Sequence, residues 1–301
     1  MKIIKKILRN IFIFFKKKIL LKFLKNKNFN TEIRIADAIT YLENEKKIKS
    51  IMFWTTHKCA STFVSKFLSA ISEEAKLKHF DYAGSIWELG DEIKIKNPYE
   101  IAVKSDFLYR MYGEIYGPIR NPIDLNHSEQ LNNIFFLRDP RDLIISQYYS
   151  TVYSHPLPSH KNDKKIFTKK RHQIKKMGIN KYFLEQIDKW IIPQYTKYRL
   201  IKKNSKLSFF HKYEDLKINP RKTILEITKN MNTHISKKLL NNLVKRFEKP
   251  FQKKSEMKLK NKFLHTRSGE SRQFESEINK DVLKLGNRKL VKILNFWNFQ
   301  V

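Results

Sequence analysis

Ile51-Met-Phe-Trp-Thr-Thr-His-Lys58-Cys-Ala-Ser-Thr62-Phe63 opens in a β-rich run, Lys49 to Thr56, and continues into apolar residues Phe63, Phe67, Leu68 and Ile71 at helical spacing. The pattern predicts a buried strand, a turn over 57–62 and a helix start. Such a turn aims backbone N–H groups, the Ser61 and Thr62 hydroxyls and the Lys58 ammonium at one point, which suits an anion. About eighty residues on, Ile134-Phe-Phe-Leu-Arg138-Asp-Pro-Arg141-Asp-Leu-Ile-Ile-Ser146 repeats the design. Asp139 reads as an N-cap with Pro140 at the first helical position, which leaves Arg138 at the strand tip and Ser146 about two turns into the helix. Two such sites predict a ligand with two separate phosphate-like ends.

Each segment alone has a plainer reading. Lys58 to Thr62 would serve as an ordinary helix start, and Arg138 would pair with Asp142 or Asp139. The first turn is also no Walker loop, because Lys58 comes early and the turn has no glycine. Further strand-like runs near 100–106 and 206–213 alternate with helical stretches, which predicts an α/β fold. The expected form is a P-loop-like three-layer α/β/α arrangement around a mainly parallel central sheet. Residues 179–203 read as a helical cover interrupted by Pro193.

Taken together, the motifs resemble those of the sulfotransferases that use 3′-phosphoadenosine 5′-phosphosulfate (PAPS). Lys58-Cys-Ala-Ser-Thr62-Phe63 is similar to that family's Pro-Lys-x-Gly-Thr-Thr-Trp loop. Arg138 and Ser146, eight apart, resemble its 3′-phosphate pair, Leu207 to Pro220 its strand ending in Tyr-Glu-Asp-Leu, and Arg267-Ser268-Gly269 its Arg-Lys-Gly segment. The resemblance spans roughly residues 50 to 275 and implies sulfonate transfer from PAPS to a hydroxyl or amine, leaving PAP, without a metal. It implies donor contacts at Lys58, Cys59, Ala60, Ser61, Thr62, Phe63, Arg138, Ser146, Tyr213, Arg267, Ser268 and Gly269. Lys58, Asp106 and Ser146 are the implied catalytic group. Several positions depart from the family: Ala60 stands for a glycine, Phe63 for a tryptophan, Ser268 for a lysine, and Asp106 for the histidine base of a Lys-Thr-His motif. A free Asp titrates near 3.9, so burial would have to raise Asp106 for it to act as the base. His79 and Asp81 are the reserves. A P-loop kinase and an inactive nucleotide-binding relative stay open as alternatives.

Net charge is 62 minus 29, or +33. The lysines spread over the whole chain, with abundant Ile and Asn and no nucleic-acid motif, so no nucleic-acid partner is expected. The charge would still steer anionic PAPS and acidic glycans or lipids. Cys59 is the one cysteine, which rules out an intramolecular disulfide and permits a reducing compartment. In the turn it reads as a small space-filler rather than a nucleophile.

Residues 1–29 form a basic amphipathic segment whose longest apolar run, Ile11 to Phe15, is too short to span a membrane. Lys16 to Lys18 break any signal-peptide core. The segment fits two roles: lying on an anionic membrane through residues 1–24, or packing on the single domain expected over 30–301. The expected location is cytoplasmic, with a peripheral contact at the inner membrane face under the first role. The acceptor reads as a glycan, a lipid or a small molecule, chosen by variable loops near 80–99, 110–130 and 153–178. The basic run from Lys161 to Arg171 reads as a solvated loop, or as a lid whose cations meet an acidic acceptor.

Overall fold

A computed structural model describes residues 48–81, 109–123, 125, 128–158, 161–257 and 271–300. Five parallel strands form one sheet: β1 (Ile51–Trp54), β2 (Lys78–Phe80), β3 (Glu114–Ile119), β4 (Asn132–Leu137) and β5 (Leu207–Lys212), in the order β2-β3-β1-β4-β5. Strands covered on both faces need apolar residues at every position, not at alternate ones. Accordingly β1, β3 and β4 are buried throughout.

Helices α1 (Ser61–Ala75), α2 (Pro140–Tyr149), α3 (Lys161–Met177), α4 (Ile179–Gln186), α5 (Ile192–Asn204), α6 (Tyr213–Ile218), α7 (Pro220–Asn230), α8 (Lys237–Met257), α9 (Phe274–Glu277) and α10 (Lys280–Phe296) surround the sheet. The alternation along β4 divides them. Ile134 and Phe136 pack with Phe67, Ile71, Ile224 and Leu243 of α1, α7 and α8. Phe135 and Leu137 pack with Ile144, Tyr195, Leu294 and Trp297 on the α2, α5 and α10 side. The molecule is therefore the three-layer α/β/α arrangement the sequence predicts.

Three expectations are corrected. The stretch 110–130, read as variable loop, holds β3, the strand directly beside β1. Its Gly117-Pro118 step is a turn signal in sequence. In the sheet it lies where the pairing with β1 slips, between Met52↔Tyr116 and Trp54↔Ile119, so the missing N–H of Pro118 falls at an irregularity. Second, the basic run after 160 is not a loop but the 17-residue helix α3. Third, Pro193 does not interrupt the cover: a π turn at Ile187–Ile191 joins α4 to α5, and the proline enters α5 in its first turn, where its lost N–H costs little. The run 100–106, read as a strand, lies outside the described residues, as do residues 1–29.

Gly117 has φ +147, and a Cβ there would sit 2.8 Å from the Phe53 carbonyl and 2.9 Å from Phe53 Cβ. Both neighbours belong to the central strand and cannot retreat. Gly117→Ala is expected to destabilise by about 1–3 kcal/mol, read as a lower urea midpoint with an unchanged slope.

Candidate active site

The chain leaves β1 for β3 and β2 on one side of it and builds β4 and β5 on the other. The connections after β1 and β4 thus diverge, which opens a crevice at the carboxyl ends of these two strands, where α/β proteins hold ligands. Both sequence-predicted turns end there. Arg138 Nη1 donates to the Lys58 carbonyl at 3.3 Å and so ties one turn to the other.

The first turn leaves a helix start uncapped. Ala60, the N-cap of α1, lies in the left-handed region (φ 49, ψ 33), offers no side-chain cap, and no acidic residue occupies the first helical turn. The first helical bond is Val64 N–H to the Ala60 carbonyl, 3.0 Å, so the preceding amides of Ser61, Thr62 and Phe63 face the crevice without helical partners. Lys58 also has positive φ, 66°. Two non-glycine residues held left-handed in three positions store backbone strain, and the curl they enforce is what turns the amides inward. The Lys58 ammonium is half-buried, and no carboxylate among the described residues pairs with it. Burial, and secondarily the charge of Arg138, lower its pKa to about 8. Cys59 points the other way: it is fully buried, its Sγ lies 3.5 Å from the Phe136 carbonyl, and burial pushes the thiol up to about 12, leaving no thiolate at neutral pH.

Arg138 stands on the second turn, with its side chain 5% exposed. Its guanidinium lies 4.8 Å over the Tyr213 ring and 3.8 Å from Asp142. Tyr213 thus packs against the arginine, and the Asp142 pairing that the plainer reading foresaw is present as well. Asp142 also accepts the Arg272 and Phe274 N–H groups, at 2.7 and 3.3 Å. This carboxylate fastens the segment that follows Arg267, Ser268 and Gly269 to the Arg138 helix. Those three residues lie outside the described residues. Ser146 is partly exposed on α2. The Phe63 ring stacks on Phe67 (centroids 5.8 Å) and meets Phe247 edge-on (5.1 Å), so one side of it is already packed.

One helix carries the polar pins that hold the strand ends, and nothing in the sequence pattern singled them out. From α5, Gln194 donates to the Arg120 carbonyl at 2.7 Å after β3, Tyr195 to the Arg138 carbonyl at 2.5 Å after β4, and Tyr198 to the Thr55 carbonyl after β1. Three carbonyls that the sheet leaves unmatched are thereby satisfied in a buried setting, where an orphan would cost about 1–3 kcal/mol.

Asp106, the sequence-predicted base, lies outside the described residues. His79 and Asp81 belong to the edge strand β2 and its end. His79 Nε2 is 2.7 Å from the Gly117 carbonyl, and Asp81 accepts from Ser65 Oγ at 3.2 Å. β3 stands between β2 and β1, while the Ser65 contact joins Asp81 to the first turns of α1. Among the described residues, no group of three or more His, Cys, Asp or Glu side chains could hold a metal ion, and no helix is long and apolar enough to cross a membrane.

A family model described as "Sulfotransferase domain" matches residues 49–285. Among solved structures, the chain is similar to mouse sulfotransferase SULT7A1 complexed with PAP, with 16% identity, a TM-score of 0.52, and coverage of 84% of this chain and 87% of that one. It is also similar to retinol dehydratase in complex with androsterone and inactive cofactor PAP, with 12% identity, a TM-score of 0.49 and 87% of each chain covered. A comparison with curated protein sequences finds no match. At these identities the structural likeness speaks for the fold.

Proposed function

The chain belongs to the sulfotransferase-domain family, and on that premise we propose that its two-turn crevice binds PAPS and passes the sulfonate to an acceptor hydroxyl. PAPS, when bound, supplies the sulfonate and a 5′-phosphate as the leaving group. The observation that carries the assignment is the pairing across the switch point: an uncapped helix N-terminus with a half-buried ammonium on one side, and a guanidinium fixed at the tip of the neighbouring strand on the other.

The residues divide the work as follows. The amides of Ser61, Thr62 and Phe63 with the two hydroxyls hold the 5′-phosphate. Lys58 sits where charge grows on the bridging oxygen as the bond to sulfur breaks, and a cation fixed there in advance lowers the barrier. Arg138, Ser146 and Arg267 hold the 3′-phosphate, the group that separates this nucleotide from ATP or ADP. Tyr213 and Asp142 keep the Arg138 guanidinium aimed, and Glu214 accepts the Asp139 N–H at 3.0 Å to steady the same turn.

Titration calorimetry with PAP, ADP and 5′-AMP tests this. PAP should bind far more tightly than the other two, and equal affinities would exclude the assignment. Arg138→Ala should cost PAP about 1.5–3 kcal/mol, the worth of a charge-assisted hydrogen bond, while leaving ADP nearly unchanged.

A further inference from the structure

Glu214 lies in the first turn of α6 and reaches the turn that carries Arg138. Its two carboxyl oxygens are unequal. Oε1 accepts the Asp139 N–H at 3.0 Å, whereas Oε2 is sealed from solvent and has no hydrogen-bond partner among the described residues. A buried carboxyl oxygen without a donor is costly as part of an anion and far less so as part of a neutral acid. We propose that Glu214 is a positioning residue for the 3′-phosphate half of the site and takes up a proton when that phosphate docks on Arg138. This rests on the PAPS reading above and adds to it a proton that binding consumes.

The charges around Arg138 give the reason for the proton and its destination. The guanidinium has Asp142 3.8 Å away and Glu214 as a second carboxylate within electrostatic reach. The cation is thus matched before a ligand arrives, and a phosphate dianion added at Arg138 leaves the cluster with excess negative charge. Asp142 is held as an anion, because Oδ2 accepts the Arg272 N–H at 2.7 Å and Oδ1 the Phe274 N–H at 3.3 Å. Asp139 is held by Arg141 at 2.6 Å. The other neighbours are already protonated at pH 7: burial pushes the Cys59 thiol and the Tyr213 phenol up to about 12, and the Tyr195 phenol well above its usual value. Glu214 is the carboxyl with an oxygen that nothing holds. Burial raises its pKa to about 7, against the pull of the Asp139 N–H and of the Arg138 charge. It is therefore poised at neutral pH, and an anion brought close raises such a group further, by about one unit or more.

A group whose pKa is higher in the complex than in the free protein favours binding while it is protonated. PAP affinity should be highest below pH 7, fall as the pH rises through the free value, and level off above the bound value. For a rise of about one unit, the loss is roughly fivefold between pH 7 and 9, and about half a proton is taken up per PAP bound at pH 7.5. The step levels off near pH 8, where the Lys58 titration lies. 5′-AMP leaves Arg138 without a phosphate and should draw no proton to Glu214.

Titration calorimetry on the full-length Lys58→Arg protein, which lacks the lysine that titrates nearby, measures the uptake from the dependence of the heat on buffer ionisation enthalpy. At pH 7.5 PAP should take up about half a proton more than 5′-AMP does, and Glu214→Gln in the same background should abolish that difference. The amide keeps an oxygen for the Asp139 N–H and stays neutral at every pH. The variant should therefore bind PAP at pH 9 at least as tightly as its parent does at pH 7. Weaker binding at every pH would reveal a merely structural role and overturn the inference. Equal uptake with PAP and 5′-AMP, or uptake that survives in Glu214→Gln, overturns it as well. Should the variant not fold, the parent labelled with ¹³C at its glutamate carboxyls decides: a carboxyl titrating near pH 7 must move upward with PAP and not with 5′-AMP, and an unmoved one overturns the inference. PAP that fails to bind at all brings down the PAPS reading itself, whereas PAP that binds without the extra proton brings down this inference alone.

Discussion

Lys58→Ala is expected to lower kcat by about 10²–10³-fold, which corresponds to roughly 2.7–4 kcal/mol of transition-state stabilisation, with folding intact and PAP affinity reduced far less. The split follows from where the charge is wanted. In the proposed complex the donor's phosphate already has the α1 amides and hydroxyls in the ground state, whereas the bridging oxygen gains its charge only as the bond breaks. Position alone does not secure the effect, because the ammonium must also be charged, and its pKa is lowered to about 8 by burial and by Arg138. A lysine so lowered is protonated below that value and loses its proton as pH rises through it. The donor kcat/KM, which reports the free enzyme, should therefore fall above pH 8. Lys58→Arg should abolish that alkaline limb, since a guanidinium stays charged throughout. A Lys58→Ala enzyme with near-wild-type turnover would remove this residue from the chemistry.

Arg141→Ala is expected to destabilise the fold by about 3–5 kcal/mol, the cost of leaving one member of a buried ion pair alone. The guanidinium is 2% exposed and lies 2.6 Å from Asp139 Oδ2. Its Nε also donates to Asp139 Oδ1, its Nη1 to Asn287 Oδ1 at 3.0 Å, and its Nη2 to the Gln300 carbonyl. The Phe274 ring lies 4.0 Å beneath it. One side chain thus joins the second anion turn to α9, α10 and the chain end. Arg141 stands three residues after Arg138, but its charge is already spent inside the protein. Urea unfolding measures the loss. Because Asp139 is the stranded partner, Asp139→Asn combined with Arg141→Ala should cost markedly less than the sum of the two single changes. Strict additivity would show that the pair is not coupled.

The strands β1, β4 and β5 and the two turns that follow β1 and β4 were legible because each is local. A buried parallel strand needs an unbroken apolar run, as in Ile134 to Leu137, and a phosphate-gripping helix start needs its polar groups within a few residues of one another. The order of motifs from Lys58 to Arg267 likewise sufficed to point to the sulfotransferase family. β3 was not legible, because Gly117 and Pro118 are strand breakers by propensity and become acceptable only where the pairing with β1 slips. Nor was β2, a three-residue edge that is half-buried and polar at two of its positions. Sequence alone thus determined the class of fold and, through the family pattern, the two turns on which the proposed nucleotide site rests. Only the tertiary structure decided that Arg141 is a strut and Cys59 is sealed in the core. It alone decided that Gln194, Tyr195 and Tyr198 pin three strand ends. Those assignments depend on contacts between residues far apart in the chain, and on burial, which sets whether a charge is available.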